Sequence, residues 1–252
     1  MLLIFLISCL WFLPNVFCQH DLNFYPNRSG IVHLFEWKFN DIADECENYL
    51  GPNGYAGVQT SPVHEPIDRK SFVWWQRYQP VSYMIFSHSG TKEDLADMIQ
   101  RCNDSGIRIY IDVVFNHMAS VNEGFIGLNG TEFDASNLDF PGVPYNSSDF
   151  NEKCTIENYQ NAVNIRDCYL LDLPDLNQTK LYVREKIREA LDELIDMGVA
   201  GFRFDAVKHM WPADVQAIYS SMKNLSETYF PIGSRPFIYQ EVIDSGDGVI
   251  SK

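Results

Sequence analysis

From residue 31 onward, strand-like and helix-like segments alternate, and that rhythm restricts the fold more than any other property of the chain. IVHLFEW (31–37) predicts a strand, and DIADECENYLG (41–51) a helix ended by Gly51. GYAGVQTSP (54–62) predicts a second strand. After the aromatic stretch FVWWQRYQPVSY (72–83), TKEDLADMIQRCNDSG (91–106) predicts a helix. Thr91 caps it, and Leu95, Met98, Ile99 and Cys102 share one face. IRIYIDVVFNH (107–117) is a long β-branched third strand. KLYVREKIREALDELIDMG (180–198) carries Val183, Ile187, Ala190, Leu191, Leu194 and Ile195 on one stripe, as an amphipathic helix does. It feeds a fourth strand, VAGFRFD (199–205). ADVQAIYSSMKNL (213–225) is a further helix and PFIYQE (236–241) a fifth strand. Such alternation predicts parallel β-α units.

Residues 118–179 break the rhythm, being rich in Asn, Gly, Ser, Asp and Pro. So long an irregular stretch is too much for a plain connection and predicts a small inserted subdomain. No internal repeat and no low-complexity tail is present.

Two strands each end in an acid, Asp205 and Glu241. Side chains two apart on a strand share a face, so Arg203 points with Asp205, and Phe237 and Tyr239 with Glu241. A charge completing an apolar strand face is costly unless something uses it. Two acids on separate strands suit glycosidic bond cleavage, one to attack or stabilise the sugar and one to donate a proton. The plainer alternative is that each pairs only with a buried base such as Arg203. Active sites of β/α barrels gather at the carboxyl ends of the strands. Asn116 and His117 end the third strand, Asp205 the fourth and Glu241 the fifth, so all four fall where that architecture puts chemistry.

At 252 residues the chain can make one large domain or two small ones, and 46% hydrophobic residues suit a globular core. A formal charge of −15 argues against a nucleic-acid partner or an anionic membrane surface. MLLIFLISCLWFLPNVFC (1–18) is an apolar run without acids, read as a secretory leader cleaved after Cys18. It is too short and interrupted for a comfortable membrane span. Cys46, Cys102, Cys154 and Cys168 remain, an even number that predicts two disulfides in a secreted chain, with three pairings open. No Cys-x-x-Cys pair occurs, which argues against zinc. Asn-x-Ser/Thr sequons at Asn27, Asn103, Asn129, Asn146, Asn177 and Asn224 fit the same secretory route.

DVVFNH (112–117), GFRFDAVKH (201–209) and QEVID (240–244) resemble, in order and spacing, three signature regions of the animal-type α-amylases, which are retaining glycoside hydrolases. IVHLFEW, WWQRYQPVSY (74–83), RDC (166–168), HMWP (209–212) and GSRPF (233–237) extend the similarity from Gly30 to Asp244. The resemblance implies an incomplete (β/α)8-type TIM barrel, about its first five strands, with an irregular calcium-linked subdomain inserted after strand three. It divides the chain into leader (1–18), barrel (19–117), insertion (118–179) and barrel again (180–252).

By the same resemblance Asp205 matches the nucleophile, and Glu241 the general acid, kept protonated by a poorly solvated, charge-crowded setting. Arg203 matches a residue that orients the nucleophile and helps bind chloride, or simply pairs with buried Asp112. Asn116, Arg166, Asp175 and His209 match ligands of a structural calcium ion, Arg166 and His209 through backbone carbonyls, with Asp172 as the fallback. His117, Lys208 and His209 match residues bonded to sugar hydroxyls, and Trp74, Trp75 and Tyr78 the aromatic platform of the cleft. Adjacent tryptophans rarely share one environment, so at least one is expected exposed. Cys46 is matched with Cys102, and Cys154 with Cys168, which would hold the insertion.

The resemblance implies endohydrolysis of α-1,4-glucosidic bonds in starch, glycogen or malto-oligosaccharides by a secreted, monomeric full-length protein. Lys252 falls soon after strand five, so the chain is expected to be a fragment, inactive alone because five parallel strands cannot close a barrel. Two rivals stand: a non-catalytic secreted relative that binds carbohydrate or protein, and an α-glucosidase or transglycosylase on the same scaffold.

Overall fold

The computed structural model describes residues 21–69, 72–120, 126–246 and 248–250. The apolar run at 1–18 lies outside them. Strand β1 (Ser29–His33) leads to helix α1 (Phe39–Glu45), which widens into a last turn at Cys46–Leu50. Strand β2 (Tyr55–Gln59) follows, then the short β3 (His64–Pro66), β4 (Pro80–Ser87) and β5 (Gly90–Thr91). Helix α2 (Lys92–Asp104) begins at Thr91, whose side chain accepts from the Asp94 N–H while Asp94 accepts from the Thr91 N–H. That reciprocal pair satisfies two donors the helix cannot. Next come β6 (Arg108–Val113), α3 (Ala162–Asp167), α4 (Leu181–Met197), β7 (Gly201–Phe204), α5 (Pro212–Ser221) and β8 (Phe237–Gln240).

Five strands form one parallel sheet in the order β1-β2-β6-β7-β8. Consecutive staves joined by helices are the build of a TIM barrel, here an incomplete one with β1 and β8 as its two open edges. All six residues of β6 are buried, whereas Phe237, Ile238 and Tyr239 of β8 are only half-buried. Gly201 is required by packing: a Cβ there would stand 2.1 Å from the Phe237 carbonyl oxygen of the neighbouring strand. The expected disulfides Cys46–Cys102 and Cys154–Cys168 are both formed. The first ties the end of α1 to α2, and the second closes a loop within the insertion.

Strand ends are the main difference from expectation. The first strand stops at His33 rather than residue 37 because Glu36 turns left-handed, φ 70°, and gives its N–H to the Ser61 hydroxyl. The sequence also concealed a second sheet, the antiparallel β3-β4-β5. Val81–Tyr83 on β4 are buried on both faces, so no polar face marked the strand. This small sheet joins the insertion through backbone bonds, Ala119 to Pro80 and Leu128 to Pro66, each 2.9 Å. Within the insertion Phe133, Phe140, Tyr145 and Phe150 build their own buried aromatic cluster.

Candidate active site

Arg203 on β7 is the hub of the site. Its Nη1 donates to both carboxylate oxygens of Asp112, at 2.7 and 2.8 Å, and to Asp205 Oδ1 at 2.9 Å. Its Nη2 lies 2.9 Å from Glu241 Oε1. The strand ladder produces this cluster, because Asp112 is the register partner of Arg203, and Arg203 that of Tyr239. Pairing continues one residue past the strand ends: Asp205 N–H reaches Val113 at 2.9 Å and Glu241 N–H reaches Phe204 at 2.8 Å. Ala206 then turns left-handed, φ 53°, and gives its N–H to Glu241 Oε2 at 2.9 Å. Both acids therefore meet on one side of the sheet, joined by one guanidinium fork.

Three carboxylates around one cation cannot all ionise freely. Burial lifts Asp112 to about 6, against the pull of Arg203. Burial again, then Asp112 and Glu241, push Asp205 up to about 8, with Arg203 opposing. Burial disfavours the Arg203 charge, yet Asp112 first, and then Asp205 and Glu241, hold it above its ordinary value. Asp112 and Asp205, both pushed up and both in contact with Arg203, do not lose their protons independently. Both acids share the crowded cluster, but Asp205 is the less solvated: it follows an interior strand with its side chain 10% exposed, whereas Glu241 follows the edge strand with its side chain 30% exposed.

Two cavities flank Glu241. One, about 480 Å³, is lined by Trp74, Trp75, Tyr78, His117, Arg203 and Asp205 among others. The other, about 360 Å³, is lined by Tyr159, Ala206, Lys208 and His209. They share Leu170, Leu171, Glu241 and Ile243, so the acids lie midway along one cleft. Trp74 is 57% exposed, and Trp75 is half-buried under Arg69, whose guanidinium carbon is 4.4 Å from the ring centre. At least one open tryptophan was the expectation. Tyr78 donates to Asp112 Oδ2 at 2.9 Å, and burial followed by Asp112 raises its phenol.

The expected sugar-binding polar groups are only partly free. Lys208 Nζ donates to the Ile243 carbonyl at 2.7 Å, and His209 Nδ1 to that of Ile165 at 2.9 Å. His117 is committed at both nitrogens: Nε2 donates to the Tyr78 carbonyl at 2.9 Å and Nδ1 accepts from Asn116 at 3.2 Å. Burial lowers it to about 4, so it is neutral. Here both nitrogens of His117 are engaged, one of them on the Tyr78 carbonyl, while the residue still lines the cleft. Sequence reasoning passed over Leu170, Leu171, Tyr159 and Ile243. Leu171, left-handed at φ 52° and 85% exposed, is a bulky apolar residue held in a strained turn at the cleft wall. That strain is invisible in the sequence.

The residues matched to calcium fall in two neighbouring places. Asn116 and Asp175 are buried and joined by the His117–Asp175 bridge and a Leu176-to-Asn116 backbone bond of 3.0 Å. Each leaves one side-chain oxygen, Oδ1, buried without a partner. Two orphaned oxygens at one place fit a hard cation. Arg166 and His209 lie on α3 and the Val207–His209 turn, which pack together. No cluster of three His, Cys, Asp or Glu that could hold a metal ion occurs among the described residues. Asp172 is exposed and faces Lys153 at 3.4 Å, away from this place. At the residue matched to chloride, both terminal nitrogens of Arg203 serve carboxylates.

Comparison with known proteins agrees with this geometry. Residues 47–230 match the family model described as alpha amylase, catalytic domain. The chain belongs to the alpha-amylase family. An alpha-amylase of Phaedon cochleariae is 54% identical over 93% of this chain, and one of Tribolium castaneum 52% over 98%. The chain spans about half the length of these relatives, 48% and 50%. A crystal structure of a variant alpha-amylase I from Eisenia fetida in complex with maltohexaose superposes with a TM-score of 0.89. It is 42% identical, over 92% of this chain and 48% of that one.

Proposed function

We propose that this chain supplies the acid pair and central cleft of an α-amylase that cleaves internal α-1,4-glucosidic bonds with retention. One observation carries the reading: Asp205 and Glu241, from adjacent strands, meet on one guanidinium midway along a cleft with aromatic and aliphatic walls. Retaining enzymes need their two carboxyls about 5 Å apart. Asp205 is the nucleophile that forms the glycosyl-enzyme. Glu241 protonates the leaving oxygen and then takes a proton from the attacking water. The reaction needs the proton on Glu241 and Asp205 bare, with Arg203 holding the anion in line.

Trp74, Trp75 and Tyr78 offer flat faces to glucose rings, with Lys208 and His209 on the far side of Glu241. Starch, glycogen or malto-oligosaccharides threading the cleft would place a bond inside the chain at the acids. Asn116 and Asp175, with the carbonyls of Arg166 and His209, would hold calcium. Its part is structural, bracing the insertion against the barrel. The two disulfides and the apolar leader suit a secreted protein.

Joining this chain to the C-terminal half of the Tribolium castaneum relative and assaying starch tests the proposal. Maltose-sized oligosaccharides with retained α-configuration are expected. Glucose released from chain ends, or inverted products, would instead favour the glucosidase rival. Persistent cleavage by D205N or E241Q would remove the assigned roles, and sugar binding with no cleavage by the intact acid pair would favour a binding protein. Residues 19–252 alone should show background hydrolysis, because both edges of the sheet stay open.

A further inference from the structure

Six sequons look alike in sequence but differ sharply in the fold. Asn103, at the end of α2, is 3% exposed, and its amide is fully committed. Nδ2 donates to the carbonyls of Ile99 and Gly198 at 2.9 and 3.2 Å, and Oδ1 accepts from Arg108 Nη1 at 2.7 Å. One side chain thus ties α2 to the end of α4 and the start of β6. A sugar on Nδ2 would occupy the space those carbonyls fill.

Asn146 is the opposite case. Asn146, Ser147 and Ser148 are all exposed, and no other sequon is exposed at all three positions. Asn146 Oδ1 accepts from the Ser148 N–H at 3.0 Å, which leaves Nδ2 of this exposed side chain uncommitted to that turn. The remaining sequons are each held in part. Thr131 of the Asn129 sequon gives its hydroxyl to buried Glu65, Thr179 of the Asn177 sequon gives its own to Asp214, and Leu225 of the Asn224 sequon is buried. In the Asn27 sequon, Arg28 is anchored to the carbonyls of Gly51 and Tyr55. No sequon asparagine lines the cleft.

We propose that Asn146 is an N-glycan acceptor and that Asn103 is closed to glycosylation. The co-reactant is an oligosaccharide linked to a lipid pyrophosphate. Transfer forms a bond from Asn146 Nδ2 to the reducing-end C1 and breaks the bond from that carbon to the pyrophosphate. The lipid pyrophosphate leaves, and Nδ2 gives up one proton. A glycan at Asn146 is attached outside the residues that line the cleft.

The test is site mapping of the chain, expressed with its own leader in insect cells and collected from medium and cells together. Peptide N-glycosidase in heavy-oxygen water converts each glycosylated asparagine to labelled aspartate. Label at position 146 with none at 103 is expected. N146Q and S148A should each lose one glycan's step in mass, S148A while keeping the Asn146 side chain in place. N103Q should lose none. Label at 103, or an unmodified Asn146, overturns the proposal.

Discussion

Strands β6 and β8 both bring an acid toward the same guanidinium, yet they treat it in opposite ways. Asp112 on β6 is wholly buried, flanked by strands on both sides, and takes two bonds from Arg203 and one from Tyr78. Glu241 follows β8, the edge strand, and keeps water on one side. The central acid is structural, sunk where no substrate reaches it. The edge acid faces the cleft, where chemistry can use it. Position in the sheet, rather than residue type, separates brace from reagent.

Substitutions can break this contrast. Largest should be E241Q in the joined enzyme described above: starch hydrolysis falls about 10²–10⁴-fold. Urea unfolding of the same variant should shift by about 1 kcal/mol, because the amide can still accept the Ala206 N–H and water reaches the partly solvated side chain. D112N should reverse that pattern in stability, costing about 3 kcal/mol because it leaves a buried charge short of its partner. If both variants lost stability equally, the division between brace and reagent would be wrong.

Calcium tests the far end of β6, where Asn116 and Asp175 carry orphaned oxygens. Calcium at a hundredfold over its Kd should raise unfolding free energy by about 2.7 kcal/mol. A chelator should abolish that gain, and D175N should be indifferent to both.

A gentler effect follows from Asp205. Its carboxyl is raised from 3.8 to about 8 in the folded protein, so the native state binds more protons than the unfolded one across that window. Stability from this group is therefore greatest at acid pH and is lost as pH rises toward 8. D205N should flatten the decline in denaturation midpoint between those limits. An unchanged slope would show that Asp205 ionises as freely folded as unfolded.

Smallest is packing. I111V in buried β6 should cost about 1 kcal/mol and I238V in half-buried β8 roughly half that, read from paired urea curves. Equal costs would mean that β8 is covered in solution as completely as β6.

Much of this was legible in the chain. Apolar periodicity marked α2 and α4 almost to the residue, because one buried face forces a repeat of 3.6. The acids at the strand ends were legible for the same reason: a charge after an alternating run has nowhere to go but the rim. The sheet β3-β4-β5 escaped notice because Val81, Ser82 and Tyr83 are buried whatever their polarity. The partners of His117 were not legible, because sequence names its two nitrogens but not what they bond.

Local pattern alone gave the alternation of the five parallel strands with their main helices and put an acid after each of two of them, since each depends on neighbours a few residues away. Tertiary structure alone decided which acid is buried, which sequon is open and which histidine is spent. Those outcomes depend on groups far apart in sequence, Arg203 against Asp112 or Asn103 against Gly198, and only the packed sheet brings them within 3.2 Å.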